Sequence, residues 1–402
     1  MSDLASRRIL LGVSGSIAAI RAADLVRELT RGGAEVRVVM TEAATRLVTP
    51  ALFANLSGNE VLTDLFAPSL LKVPHITLAQ QAEAMAVVPA TAATLARMAA
   101  GLAEDPVSAL YLAMPPSRVL AAPAMNPRMW AHPATARSVV RLAGDGVTIV
   151  RPVAGEVACG PPGEGRLAPL PDILLALDRL LSLERPLAGH RVLVTTGATR
   201  EPLDAVRFIS NPSTGAMGLA MALEAHRLGA EVRVIAGAGV PEPPAPIICR
   251  RAETVATMGE ALDAWFPWCS ILVMAAAVGD YRSERVVAGK RKKGERWSID
   301  LVPTRDLLAS IAPSKGERLV LGFAAETTDL VESEGHRKLR EKGMDLVVAN
   351  DITGPESGFA AVTNRAILID RDGGVVRLPL LEKGEVARAA FSRLAEAFLS
   401  ES

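Results

Sequence analysis

Apolar residues fill a strand-length stretch from Arg8 to Val13, and Ser14-Gly15-Ser16 then opens a helical pattern that runs to about Arg31. Gly32-Gly33 stops that helix and Glu35–Met40 returns as a strand. Strand, helix and strand in this order make a βαβ unit, whose right-handed crossover requires a parallel sheet with helices on both faces. Residues 84–88 and 118–122 are two further buried-strand runs, each leading into a loop rich in Pro, Thr or Asn. Residues 148–150 supply the last strand of this half, a Gly-rich loop follows over 155–165, and 172–183 form its closing helix.

The pattern then restarts. Arg191–Thr196 is a strand, 214–228 a helix and Glu231–Ala236 a strand, with further buried strands at 271–276, 318–323 and 346–349. Asp372-Gly373-Gly374 turns a hairpin between 366–370 and 375–378, and a helix over 383–399 ends the chain. The expected organisation is therefore two doubly wound α/β domains with parallel sheets, 1–183 and 191–402, joined by a linker at 184–190. No residue-level repeat relates the halves. In such sheets ligands sit outside the C-terminal strand ends, so the loops there are the candidates for chemistry.

A length of 402 residues agrees with two domains, and 50% apolar residues suffice for two cores. Lys+Arg and Asp+Glu are both 44 and aromatics only 3%, so neither a basic field nor a stacking platform points to nucleic acid. The longest apolar runs fall well short of the roughly 20 residues of a membrane span, and the polar start lacks a signal-peptide core. Three cysteines, Cys159, Cys249 and Cys269, show no paired spacing, and a reducing, cytoplasmic compartment is expected.

Ser14-Gly15-Ser16 lies between a strand and a helix start, where free N–H groups and the helix dipole favour a phosphate. Thr41, Thr91 and Thr94 stand at equivalent sheet ends and could ring the same cofactor, or could simply cap helices. His75 follows a proline in an irregular segment, Asn126 stands at a strand end, and Cys159 sits at the base of the Gly-rich loop. GVSGSIAA at 12–19, the His75-Ile76 segment, PAMNPRMW at 123–130 and the ACG…GEGR loop at 158–166 occur in order. In these motifs the first half resembles the phosphopantothenoylcysteine decarboxylases of the flavin-dependent cysteine decarboxylase family. The resemblance implies a flavodoxin-like domain that binds FMN through Gly15, Ser16, Thr41, Thr91 and Thr94. It also implies catalytic roles for His75, Asn126 and Cys159. Loss of CO2 from a cysteinyl carboxylate needs an electron sink, which oxidation of the thiol to a thioaldehyde provides. His75 would act as base or orienter, Asn126 would hold the carboxylate, and Cys159 would give the final proton.

In the second half the loop 197–212 is long and polar and ends at a Gly-containing helix start, Ser213-Thr214-Gly215. Asp280 stands in another sheet-end loop, 275–282, where it could take ribose hydroxyls or cap a helix. Lys290-Arg291-Lys292-Lys293 is a basic run suited to a solvated face or, beside a nucleotide, to a triphosphate. Lys338 and Lys342 are four apart on a helical stretch and share a face. TTGATREPLDAVRFISNPSTG, AAAVGDYR, KRKK, GFAAET and DLVVANDIT resemble the phosphopantothenate–cysteine ligases over nearly all of this half. The order of the halves matches the bacterial bifunctional, CTP-dependent family. The resemblance implies a Rossmann-like ligase domain in which Asn211 stabilises an acyl-cytidylate and Lys290 assists its reaction with cysteine. Met274, Ala275, Ala276, Asp280, Arg305, Asp306, Leu307, Leu308, Phe323, Lys338 and Lys342 would line the CTP site.

Mg²⁺ is expected to ride on the CTP triphosphate, since no acidic cluster marks metal ligands. The substrates implied are 4'-phosphopantothenate, cysteine and CTP, and the assembly implied is decarboxylase trimers joined by ligase dimers. Several positions depart from the family pattern: Arg21, Ala93, Pro161-Pro162, Ala216 and Thr304-Arg305. Other readings are a flavin decarboxylase of another cysteinyl substrate with a degenerate second half, or a regulatory flavodoxin-like protein. A two-domain dehydrogenase is disfavoured, because no Gly-x-Gly-x-x-Gly turn follows either first strand.

Overall fold

The structure, a computed structural model, describes residues 4–66, 73–156, 162–182, 184–294, 296–326, 331–351 and 363–399. The chain divides into two compact units, Met1–Leu183 and Glu184–Ser402.

The first unit runs β1 (Arg8–Val13), α1 (Ala19–Arg31), β2 (Glu35–Met40), α2 (Glu42–Thr45), α3 (Pro50–Ser57), α4 (Pro74–Gln81) and β3 (Ala84–Ala90). It continues through α5 (Ala92–Ala100), α6 (Pro106–Leu112), β4 (Val119–Pro123), α7 (Pro127–Trp130), α8 (Pro133–Gly144), β5 (Thr148–Ile149), β6 (Val153–Gly155), β7 (Gly163–Arg166) and α9 (Leu170–Leu181). The sheet order is β2-β1-β3-β4-β5, every pairing parallel. Strand β3 is buried along its whole length, as a strand covered by helices on both faces must be. One core packs α1 and α9 on one face, through Leu25, Val26, Leu29, Ile173 and Leu177. The other packs α5 and α6, through Leu95, Val107 and Leu110. Because the chain leaves β1 first toward β2 and later toward β3, a crevice opens between the ends of β1 and β3. Two details of the turns in this unit differ from the sequence reading. Helix α1 starts at Ala19, since residues 14–18 form a turn, and the Gly-rich loop is bounded by the antiparallel pair β6–β7.

The second unit runs β8 (Arg191–Thr196), β9 (Arg200–Pro202), β10 (Phe208–Ser210), α10 (Ala216–Arg227), β11 (Glu231–Ala236), β12 (Ile248–Arg251), α11 (Val255–Trp265) and β13 (Ile271–Met274). After these come β14 (Tyr281–Ser283), β15 (Leu301–Pro303), α12 (Leu307–Ile311), β16 (Leu319–Glu326), α13 (Val331–Glu341), β17 (Leu346–Asp351), β18 (Thr363–Asp370), β19 (Val375–Glu382) and α14 (Lys383–Phe398). The sheet order is β12-β11-β8-β13-β16-β17-β18-β19. It is parallel as far as β17, and the tail hairpin prolongs it antiparallel. Its switch point lies between β8 and β13. The stretch 184–190, expected as a linker, is built into this unit: Leu187 is buried and its N–H donates to Leu228 O at 3.1 Å. Among the described residues no helix is long and apolar enough to cross a membrane.

Candidate active sites

The turn after β1 is shaped by close approach. A Cβ on Gly15 would lie 2.5 Å from Ala43 Cβ in α2, so a side chain does not fit there. Ser14 Oγ donates to Pro89 O at 2.7 Å and accepts from Thr91 N–H at 2.9 Å, which ties the β1 turn to the β3 turn across the crevice. Ser16 Oγ donates to Ala124 O at 3.2 Å and so reaches the end of β4. Thr91 caps α5, with its hydroxyl 3.0 Å from that of buried Thr94, and Thr41 caps α2 by accepting from Ala44 N–H. The capping reading of these threonines holds, and the same bonds fix them around the Gly15 turn.

Beside that turn lies a cavity of about 650 Å³ lined by Ser16, Arg21, Met125 and Asn126, with exposed Ile17 and Ile20 on its rim. Asn126 caps α7, its Oδ1 accepting from Arg128 N–H at 2.9 Å. Strand β7 presses on this segment: Met125 N–H donates to Gly165 O at 2.9 Å, and a Cβ on Gly165 would come within 2.3 Å of Met125 O. Cys159 falls between β6 and β7 and lies outside the described residues. His75 is not in an irregular segment. It occupies the first turn of α4, because Pro74 takes N1, where no N–H is needed. Its Nδ1 is buried with no hydrogen-bond partner among the described residues, a deficit that a ligand would relieve. A glycine-only turn ahead of a 13-residue helix suits the FMN phosphate, and an apolar-rimmed cavity suits a flat ring.

In the second unit a cavity of about 480 Å³ opens at the C-terminal ends of β13, β16 and β17. Gly215, in the left-handed conformation at φ +77, starts α10 on its wall, and Thr196 Oγ1 donates to Gly215 O at 2.7 Å. Met274, Ala275 and Ala276 line it from β13 and the loop after it. Asn211 lines it too, its Nδ2 donating to Val278 O at 3.2 Å and Ala277 O at 3.4 Å. Asp280 lines the wall and leads into β14, so the helix-cap reading does not apply. Phe323, Leu307 and Leu308 give apolar surface. Asp306 caps α12 and pairs with Lys342 at 2.9 Å. Burial alone would raise the Asp306 pKa, but the Ala309 N–H and the Lys342 ammonium hold it below the ordinary value. Arg305 also lines the cavity, yet its guanidinium forks onto Asp263 at 2.7 and 2.8 Å, which pulls the Asp263 carboxyl down. Lys338 completes the set.

Lys290 is exposed and is not among the lining residues. Its segment is tied to the 203–207 turn instead: Ala205 N–H donates to Gly289 O, and buried Asp204 accepts from Arg291 N–H at 3.3 Å. Three polar wall residues are given no site role from the sequence: Asn350, Asn364 and Lys383. Asn350 stands in the recognisable VVAND strand end, whereas Lys383 gives no signal until β19 is seen to return α14 to the cavity. Among the described residues no three His, Cys, Asp or Glu side chains gather to hold a metal ion.

Residues 1–182 match the Flavoprotein family, and residues 187–398 match the DNA/pantothenate metabolism flavoprotein C-terminal domain. The chain is 41% identical over 384 residues to the coenzyme A biosynthesis bifunctional protein CoaBC of Mycobacterium tuberculosis, with 91% of each covered. To the protein of that name from Escherichia coli it is 40% identical over 393 residues, with 95% of each covered. A crystal structure of the C-terminal domain of a CoaBC is similar at 36% identity and a TM-score of 0.46, covering 53% of this chain and 98% of that one.

Proposed function

Since the chain belongs to the family of coenzyme A biosynthesis bifunctional proteins, we propose that it ligates cysteine to 4'-phosphopantothenate and then decarboxylates the product to 4'-phosphopantetheine. The second unit uses CTP for the ligation, and the first uses FMN for the decarboxylation. The observation that carries the ligase assignment is the cavity of the second unit, which gathers twelve of the thirteen ligase residues expected from sequence, all but Lys290.

A carboxylate is a poor electrophile, and transfer of a cytidylyl group to it, with release of pyrophosphate, makes it a mixed anhydride. The N-terminus of α10 offers N–H groups and dipole to the phosphates, and Lys338 and Lys342 offer positive charge. Mg²⁺ rides on the triphosphate. Asn211 bridges the loop 277–278 and so is fixed beside the acyl-cytidylate. For Lys290 to assist the attack of cysteine, its segment must come over the cavity, from this chain or from a second copy in the proposed oligomer.

In the first unit, bound FMN supplies a two-electron oxidant for the cysteinyl sulfur and returns the electrons after CO2 has left. Asn126, on the cavity wall, holds the carboxylate, and His75 Nδ1 holds or accepts a proton at the reacting group. Cys159 gives the last proton, the role that the family resemblance assigns to it. The protein works in the cytoplasm, as trimers of first units joined through dimers of second units.

The test is a coupled assay on the purified chain. Pyrophosphate release should need CTP, 4'-phosphopantothenate and cysteine for turnover, and CO2 release should follow flavin content. No pyrophosphate with all three substrates would sink the ligase assignment. No CO2 from phosphopantothenoylcysteine with flavin-loaded protein would sink the decarboxylase.

A further inference from the structure

One wall of the second unit's cavity is left over when the nucleotide residues have been placed. Val347, Ala349 and Ile369 pack into the core beneath α11, α12 and α13, so strand alternation turns Asn350 to the opposite face, that of α10 and α14. Asn350 pairs across the sheet with Ala325 on one side and Ala366 on the other, whose methyl groups leave the space above it open. Its Oδ1 is buried and has no hydrogen-bond partner among the described residues. Two residues from Ala366 on the same face, Asn364 is 4% exposed, and it accepts from Lys383 Nζ at 3.1 Å. Lys383 is 9% exposed and stands at the first position of the 16-residue helix α14. All three side chains line the cavity.

Burial pushes the Lys383 ammonium pKa down, and a negatively charged ligand beside it would favour the charged form. The same ligand must offer a donor to Asn350 Oδ1. A compact zwitterion, with carboxylate and ammonium on one carbon, meets both demands. A nucleobase carries no negative charge, and a phosphate dianion offers no donor.

We propose that Lys383, Asn364 and Asn350 form the subsite for the amino acid that attacks the activated acyl group, Lys383 taking its carboxylate and Asn350 its amino group. This rests on the ligase reading above. The subsite lies on the α10–α14 face, whereas most of the residues assigned to CTP lie about α12 and α13. The ammonium first gives up one proton to solvent and becomes the nucleophilic amine; the N–C bond then forms, the C–O bond to CMP breaks, and the second proton passes from nitrogen to CMP or water.

Cysteine and cysteamine, which lacks the carboxylate, separate the roles. The unmodified chain should favour cysteine in kcat/KM by at least about tenfold, as expected for a charged hydrogen bond. In Lys383→Met that preference should fall to near unity, while the cysteine-free burst of pyrophosphate from CTP and 4'-phosphopantothenate persists. Asn350→Ala deletes an acceptor without a partner, and should weaken both amines alike while keeping the preference. It remains readable if thermal melting shows Lys383→Met unfolded: equal kcat/KM to the unmodified chain for both amines would then overturn the proposal. A folded Lys383→Met that keeps the cysteine preference, or loses the pyrophosphate burst in proportion to turnover, would overturn the subsite alone. No pyrophosphate from the unmodified chain would overturn the ligase reading and the subsite with it.

Discussion

Gly15 is held to glycine by one neighbour, the methyl group of Ala43 at 2.5 Å from where its own Cβ would stand. Gly15→Ala should push the β1 turn away from α2 and weaken FMN binding by about tenfold or more, the scale of an overpacked contact. Flavin fluorescence titration measures this. Ala43→Gly in the same chain should restore part of the affinity, since the next contact, the Ala43 carbonyl carbon, is 3.1 Å away. In the other unit, Asn211→Asp should put a negative charge beside the cytidylyl phosphate and stop intermediate formation. Lys290→Gln should let the intermediate form but slow its consumption by cysteine. Equal trapped intermediate in both variants would contradict that division. At this scale the sequence marks residues that sit in sheet-end motifs, such as Gly15, Asn126 and Asn211. It gives no hint of Lys383, because the contact that matters for a helix start is set by strand pairing about twenty residues earlier in the chain.

Among the elements, the basic segment around Lys290 is fastened by one carboxylate. Asp204 accepts from Val206 and Arg207 N–H groups at 2.8 Å, from Arg291 N–H, and from the Arg207 guanidinium. Burial alone would raise its pKa, but these donors lower it from 3.8 to about 2. A folded-state pKa below the unfolded value stabilises the fold above the unfolded pKa, and the effect is lost as pH falls toward the folded one. The melting temperature gap between the unmodified chain and Asp204→Asn should therefore be full above pH about 4 and shrink toward pH about 2. A gap unchanged over that window would show that the carboxylate charge is not what holds the segment. Parallel strands were legible because burial on both faces makes them continuous apolar runs, and β1, β2, β8 and β11 match residue for residue. Strand β12 was not, since Ile248–Arg251 is an edge strand with two arginines and little burial. Helix α4 hid behind Pro74, which reads as a breaker and acts as a start.

For the whole molecule, composition placed a linker where the chain is already folded. Leu187 is fully buried and Glu231 N–H donates to His190 O at 3.0 Å, so the second unit begins before its first strand. We expect fragments 1–183 and 184–402 each to fold and act alone. A fragment starting at residue 191 should retain CTP turnover but melt lower by roughly 4–8 °C, given about 2 kcal/mol for one buried leucine and about 2–4 °C per kcal/mol in a unit this size. Identical melting of the two second-unit fragments would show that 184–190 adds nothing.

The cavity of the second unit takes residues from Asn211 through Lys383, and the last of them arrives on the strand–helix join β19–α14. During synthesis, therefore, a chain that has emerged only as far as β17 displays every loop proposed to contact the nucleotide but neither Asn364 nor Lys383. On the ribosome the flavin half can mature early, whereas the ligase pocket closes only when α14 has been made. A premature stop after the first unit and before residue 383 would thus release a protein able to bind its flavin but unable to finish the amide bond.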